Sequence, residues 1–221
     1  MKMVQCIVQL CCVLILGMGA AHAQPQKTFV EKSDPEAIAL LKKVKGKYAK
    51  YDGISLKYTL TMDYGEDKEV QKGSLIQKGD QYHINNSGNH IINDGKTVWM
   101  YIKKQNEVQI NDYIPEEDIE FSPQEIFSLG ENDQYVYVIT GQDSEGYRVE
   151  LKPRDRDSEI KKVRVVVDSK QLSIKSVKVF SADGTRMAFV IEDVKNIKPT
   201  ADDFRFDKSK YPGVKEIDLR D

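Results

Sequence analysis

The sequence predicts a mainly β fold, an antiparallel meander preceded by one helix. Two observations lead to this fold class. The spacing of apolar residues changes from a helical period of 3.6 to a strand period of 2 at Ile54. About ten short strand candidates then follow one another, separated by turn residues, with too few helices between them for the crossovers of a parallel sheet.

The first 23 residues have the pattern of a cleaved export signal. A positively charged start precedes an apolar stretch over residues 6–20, and Ala21-His22-Ala23 fits a small-residue cleavage site. The apolar stretch is too short and wrongly flanked for a transmembrane helix. We therefore expect cleavage after Ala23, a flexible leader over residues 24–33 and a single domain over residues 34–221.

One amphipathic helix is predicted to follow the leader. Ser33 or Asp34 can cap it, Pro35 suits its first position, and Gly53 is expected to end it. Apolar residues recur on one face at helical spacing, namely Ala37, Leu41, Val44 and Tyr48. Lysines cover much of the remaining surface, and we interpret them as a solvated face rather than a partner site.

The segment after the helix is the clearest strand candidate, because apolar and polar residues alternate along it. Its apolar face comprises Ile54, Leu56, Tyr58, Leu60, Met62 and Tyr64. The further strand candidates are residues 69–78, 81–86, 89–93, 96–103, 106–111, 134–140, 146–152, 160–167, 172–180 and 185–194.

The segment 93–102, with the sequence NDGKTVWMYI, contains the only tryptophan. Asp94-Gly95 before β-branched and aromatic residues predicts a tight type I′ hairpin turn, whose two central residues both have positive φ. The following strand is apolar on both faces, since Trp99 and Tyr101 alternate with Val98, Met100 and Ile102. The sequence leaves open which set points inward, and whether it lines a cavity or packs a core.

The strand pattern is interrupted between residues 115 and 130. After an acidic stretch, Ser122-Pro123 provides a good start for a short helix. This helix would carry Ile126 and Phe127, two apolar residues that need cover. A helix in this position suggests a lid over one face of the sheet.

Composition and motifs give no support for a catalytic or metal centre. Without Lys2, 32 of the 33 basic residues remain against 35 acidic ones, so the mature charge is about −3 and no net field attracts nucleic acid or an anionic membrane strongly. All three cysteines lie in the predicted signal, and a cysteine-free exported chain fits a bacterial periplasm. His83 and His90 are interpreted as ordinary strand residues, because no metal or nucleophile motif surrounds them. We therefore expect no enzyme activity, no cofactor and no metal.

The order of these segments resembles that of the outer-membrane lipoprotein carrier proteins, the LolA family. The similarity begins in the helix at residues 34–44 and continues through residues 54–61. It is strongest from Asp94 to Tyr101, which looks like the family's D-G-K-T-x-W-x-Y hairpin. The remaining matches are residues 122–129, where the family places a lid helix, together with residues 149–153, 204–206 and 212–218.

The resemblance implies an incompletely closed antiparallel β-barrel, or half-barrel, with an N-terminal helix and a helical lid over a concave apolar face. It further implies a monomeric carrier, or chaperone, in the periplasm of a Gram-negative bacterium. Such a carrier shuttles triacylated lipoproteins from an inner-membrane ABC transporter to the outer membrane, where an acceptor is a candidate partner. Many members latch the lid with an arginine, whereas Gly79 stands at the corresponding position here.

The resemblance also suggests where acyl chains would bind. The expected residues are Leu56, Tyr58, Leu60 and Met62 on one strand face, Trp99 and Tyr101 in the hairpin strand, and Ile126 and Phe127 in the lid. Composition alone favours a plain packed core for all of them, and the resemblance reverses that preference. Two alternatives stay open, a periplasmic lipid-sensing or regulatory module on the same fold and a hydrolase.

Overall fold

The computed structural model describes residues 32–114 and 133–220. The predicted signal and nearly all of the predicted leader lie outside these ranges. The predicted lid residues Ile126 and Phe127 also lie outside them.

Helix α1 (Pro35–Tyr48) confirms the predicted helix and its buried face. Its four buried residues are those expected from the periodicity, Ala37, Leu41, Val44 and Tyr48. Asp34 is the cap, because its Oδ1 accepts a hydrogen bond of 2.9 Å from the backbone N–H of Glu36. Ser33 has another role, since its Oγ accepts from the backbone N–H of Tyr137.

The prediction that Gly53 ends α1 was wrong. The helix ends at Tyr48 and is capped by Ala49 in a helical conformation. Gly53 is instead a close-packing position, because a Cβ there would clash with the ring of Pro199. Its lack of a side chain therefore allows the chain after the last long strand to cross at this point.

The strands match the predicted order closely. They are β1 (Ile54–Asp63), β2 (Lys68–Lys78), β3 (Gln81–Asn86), β4 (Asn89–Asn93), β5 (Thr97–Ile102), β6 (Glu107–Asp112), β7 (Tyr135–Asp143), β8 (Gly146–Pro153), β9 (Ile160–Asp168), β10 (Ser173–Ser181), β11 (Arg186–Asn196) and β12 (Lys215–Asp218). They form one twelve-stranded sheet in the order β12-β6-β5-β4-β3-β2-β1-β11-β10-β9-β8-β7. The sheet is open, because β12 and β7 are its two edges, and it is antiparallel except where β12 runs parallel to β6.

The chain after β11 was not predicted to contain regular structure. Residues 197–219, here called the C-terminal segment, contain two short 3₁₀ helices (Ala201–Phe204 and Lys208–Lys210) and the edge strand β12. The backbone carbonyl of Asn106 accepts from the N–H of Lys215, which anchors the start of β12 beside β6.

The two faces of the sheet pack against different elements. The inner face packs against α1 and forms the main core, in which Leu75, Val149 and Val165 are fully buried together with the apolar helix face. The outer face of β5 and β6 packs against the C-terminal segment and forms a second, smaller core. Cross-strand partners share a face, so the register of the sheet assigns each side chain to one of the two.

The hairpin between β4 and β5 is confirmed, but the prediction of a type I′ turn was wrong. Positive φ within this turn is confined to Gly95, at 91°. Asp94 holds the turn with its side chain, since its Oδ1 accepts from the backbone N–H groups of Lys96 (2.9 Å) and Thr97 (2.8 Å). Asn93 is fully buried. Its side-chain Nδ2 donates a hydrogen bond to the backbone carbonyl of Asp80, and its Oδ1 accepts one from the backbone N–H of Gly95.

Candidate functional site

The four predicted site residues of β1 share the inner face, but they differ in burial. Leu56 and Tyr58 are 4% and 3% exposed and belong to the main core. Leu60 and Met62 are half-buried, and Leu60 packs against the edge of that core. The strand therefore passes from a sealed interior at Leu56 to a partly uncovered surface at Met62.

Tyr58 is fixed in place by its neighbours. Its hydroxyl donates to Oδ1 of Asn86, and its ring meets that of Phe189 edge-on at 5.8 Å between centroids. Burial raises the pKa of Tyr58 to about 12, although the hydrogen bond to Asn86 lowers it. The cross-strand partner is Gly73, where a Cβ would clash with the Tyr58 phenol and with Asn86. Tyr58 is thus a buried side chain of the inner face whose position is fixed.

Trp99 and Tyr101 lie on the outer face, away from the β1 residues. Trp99 pairs with Ile92, and Tyr101 pairs with His90, on the face that the C-terminal segment covers. The Tyr101 ring lies 4.3 Å from that of Tyr211 between centroids. These side chains form an aromatic cluster with the C-terminal segment, consisting of Trp99, Tyr101, Phe206 and Tyr211.

The residues predicted to bind acyl chains therefore do not form one surface. Within the described ranges, four lie on the inner face and two on the outer face. On β5 the inner-facing set is Val98, Met100 and Ile102, because Met100 pairs with Ile91 and Ile91 pairs with Ile84. The sequence had left this choice open, and the register decides it.

Partly uncovered apolar side chains remain on the inner face on both sides of Tyr58. They are Leu60, Met62, Ile91, Val98, Met100, Ile102 and Met187. Methionine is flexible and polarizable, so three of these seven side chains can adapt to an irregular ligand. Amide side chains share the face, namely Gln71, Asn86, Asn89, Gln109 and Asn111, and make it less uniformly apolar than the family resemblance implies.

Two clefts border α1. One, of about 400 Å³, lies between the helix and the β7–β8 side of the sheet and includes Leu40, Ile139 and Leu172. The other, of about 490 Å³, lies at the end of the helix beside the β2–β3 turn and includes Tyr48 and Gly79. Neither cleft includes a predicted acyl-binding residue. Gly79 has a φ of 58°, which suits a glycine in a tight turn.

His83 and His90 connect the outer face to the C-terminal segment. Nε2 of His83 lies 2.9 Å from Nδ1 of His90, and Nδ1 of His83 lies 3.2 Å from the carbonyl oxygen of Asp203. The His90 ring is also 5.8 Å from that of Tyr211. Burial lowers the pKa of both imidazoles, and the charge of His83 lowers that of His90 further. This arrangement is a structural link between two elements.

Within residues 32–114 and 133–220, no helix is long and apolar enough to cross a membrane. The same part of the chain contains no group of three His, Cys, Asp or Glu side chains that could hold a metal ion.

The open antiparallel sheet, with one helix and partly uncovered apolar side chains on its inner face, defines a protein of the half-barrel class. Residues 49–207 match the family model described as outer membrane lipoprotein carrier protein LolA. The chain belongs to this family. The match covers the sheet from β1 to β11 and most of the first half of the C-terminal segment.

The chain is also similar to individual proteins. The chain is 25% identical over 179 residues to the outer-membrane lipoprotein carrier protein of Pasteurella multocida, covering 78% of this chain and 83% of that protein. Its fold is similar to that of an uncharacterized conserved protein from Thermus thermophilus, with a TM-score of 0.54 at 11% identity, covering 83% and 99% of the two chains. A LolA superfamily protein from Nitrosomonas europaea aligns with a TM-score of 0.43 at 12% identity, covering 77% and 97%.

Proposed function

We propose that this protein is a periplasmic carrier that binds the acyl chains of lipoproteins on the inner face of its sheet. It would receive them from an inner-membrane ABC transporter and deliver them to the outer membrane, with or without an acceptor protein. The main support is the match of residues 49–207 to a family named for lipoprotein carriers. The partly uncovered apolar side chains of the inner face are the candidate binding surface.

The physical need for such a carrier follows from the cost of exposing hydrocarbon. Each methylene removed from water contributes about 0.8 kcal/mol, so an acyl chain of about fifteen methylenes represents about 12 kcal/mol. Lipoproteins cannot cross an aqueous compartment at useful rates unless a protein covers their acyl chains. A carrier of this kind needs neither a catalytic centre nor a cofactor.

We assign the acyl-binding role to the uncovered side chains of the inner face. Leu60 and Met62 are retained from the sequence-based expectation, and Ile91, Met100 and Met187 are added on the strength of the register. Leu56 and Tyr58 support this surface from within the core. Trp99 and Tyr101 are left out because they pack beneath the C-terminal segment. Ile126 and Phe127 keep their proposed role as a cover.

Purification from the cells that export it, followed by native mass spectrometry, provides the first test. A bound acyl species is expected to be released when the protein is denatured. A second assay adds the purified protein to inner-membrane vesicles loaded with a fluorescent lipoprotein. The absence of both a co-purifying acyl species and release from the vesicles would be incompatible with a carrier.

A pair of matched variants tests the assigned face. Leu60→Glu places a carboxylate on the inner face and should abolish lipoprotein release, whereas Val190→Glu places one on the outer face, where Val190 is 49% exposed, and should not. Because Leu60 packs against the core, Met62→Glu serves as a second inner-face variant that disturbs packing less. Normal release by both inner-face variants would move the site elsewhere.

A further inference from the structure

The outer face of β8–β11 carries a group of basic side chains around one aromatic ring. Phe180 lies at the centre of this group. Nζ of Lys162 is 4.9 Å from the ring centroid, Nζ of Lys178 is 5.3 Å from it, and Cζ of Arg164 is 5.6 Å from it. We call the group the outer cation patch, defined as Lys152, Lys162, Arg164, Lys178 and Arg186 with Phe180.

The register of the sheet places these side chains on the same face. Phe180 pairs with Lys162 on one side and with Arg186 on the other. One row further along, Arg164 pairs with Lys178. Neighbouring strands are about 4.8 Å apart, so the four strands bring all five cations within about 20 Å of one another.

Few carboxylates balance this charge. Glu150 lies between two of the cations, with Oε1 2.6 Å from Nη2 of Arg164 and 3.3 Å from Nζ of Lys162. Burial raises the pKa of Glu150, but the hydrogen bonds from these two side chains outweigh it, so its pKa is lowered and it is ionised at neutral pH. Among the residues that the structure describes, Lys152 and Lys178 have no carboxylate within ion-pairing distance.

Arg186 is partly balanced by Asp63, its cross-strand partner on β1. Asp63 is in turn shared with Lys68, whose Nζ lies 3.7 Å away. Within the described ranges, the interactions with the five patch cations thus come from two carboxylates, Glu150 and Asp63, although the whole chain carries a net charge of −2. The local charge is opposite in sign to that of the molecule, which composition alone could not indicate.

We propose that the outer cation patch docks the protein on the surface of an anionic lipid bilayer. An extended plane of lipid phosphates can meet all five cations at once, because they project from one sheet face and not from a groove. Each Lys or Arg near such a surface contributes attraction that falls off within a Debye length. Phe180 adds an aromatic ring at the level where a headgroup region would lie. Docking in this way leaves the inner face free.

Cosedimentation of the purified, lipoprotein-free protein with phosphatidylcholine vesicles, with and without phosphatidylglycerol, tests the proposal. Binding is expected only to the vesicles that contain phosphatidylglycerol. It should disappear near 1 M salt, where the Debye length is about 3 Å. The triple variant Lys152→Gln, Lys178→Gln, Arg186→Gln should bind about a hundredfold more weakly. It leaves Glu150 with both of its partners, so folding is spared.

Two further variants make the result specific to the patch. Lys42→Gln, Lys96→Gln, Lys104→Gln removes the same charge from exposed positions elsewhere and should change binding by less than about threefold. Glu150→Gln removes a negative charge from the patch and should bind about fivefold more tightly.

Three outcomes would overturn bilayer docking. One is the absence of binding to vesicles that contain phosphatidylglycerol, and another is equal weakening by the two triple variants. The third is unchanged vesicle binding by the patch variant, which would leave an acidic protein surface as the partner of the patch. Because no lipoprotein is present in the assay, its failure leaves the carrier proposal untouched.

Discussion

Two adjacent residues of β5 should have opposite effects when each is replaced by alanine. Tyr101 faces outward into the aromatic cluster and is 8% exposed, whereas Met100 faces inward and is 39% exposed. We expect Tyr101→Ala to destabilise the fold and leave acyl binding intact at temperatures where the protein stays folded. We expect Met100→Ala to weaken acyl binding with little effect on stability.

The expected magnitudes follow from what each side chain contacts. Tyr101→Ala removes ring contacts with Tyr211 and Phe206, and a hydrogen bond of 3.2 Å from the hydroxyl to Oδ1 of Asn106. Loss of a buried aromatic side chain costs about 3–5 kcal/mol. For a domain of this size each kcal/mol lowers the melting temperature by about 2–4 °C, so a fall of about 6–20 °C is expected. Met100→Ala should cost less than about 1 kcal/mol.

Urea unfolding gives the free energy of unfolding of both variants and thermal unfolding gives their melting temperatures. Displacement of a fluorescent fatty acid gives their acyl affinity. These measurements together separate a residue of the core from a residue of the binding face. If Tyr101→Ala kept its stability and lost the probe, while Met100→Ala did the reverse, the assignment of the two faces of β5 would be refuted.

Two other predictions concern stability. Burial lowers the pKa values of His83 and His90 below 6.5 in the folded chain. As the pH drops through 6.5, the unfolded chain therefore binds more protons than the folded chain. The free energy of unfolding from urea titrations should therefore fall as the pH drops through 6.5, and it should fall less in a variant with both histidines replaced by Gln; an unchanged slope would contradict this. Gly73→Ala should lower the free energy of unfolding by about 1–3 kcal/mol, because its methyl group would clash with Tyr58. Gly46→Ala in α1, where nothing lies within 4 Å, should instead raise it by about 0.5–1 kcal/mol, and equal effects would be contrary to the packing argument.

Features that depend on local periodicity could be predicted from the sequence. The buried face of α1 follows from the spacing of Ala37, Leu41, Val44 and Tyr48, and the structure buries those four residues. The alternation along β1 likewise identified the inner-facing side chains from Leu56 to Met62. In both elements one face is apolar and the other polar, so the sequence itself says which side is buried.

Features that depend on distant pairing could not be predicted in this way. β5 is apolar on both faces, so alternation cannot tell whether Trp99 or Met100 points inward, and only the register with β4 and β6 decides. β12 has four residues and pairs in parallel with a strand about a hundred positions earlier, which leaves no local signal. The aromatic residues Phe204, Phe206 and Tyr211 were the available indication that the C-terminal segment covers something apolar.

The two surfaces proposed for this protein together lead to a prediction that neither surface makes alone. Leu60 and Met62 lie on the inner face of β1, whereas Lys178 and Arg186 lie on the outer face of the neighbouring strands β10 and β11. Occupation of one face therefore does not block the other. Protein docked on vesicles that contain phosphatidylglycerol should take up a fluorescent fatty acid with the affinity of free protein. If docking reduced that affinity tenfold or more, the two surfaces would have to overlap, and the assignment of opposite faces would fail.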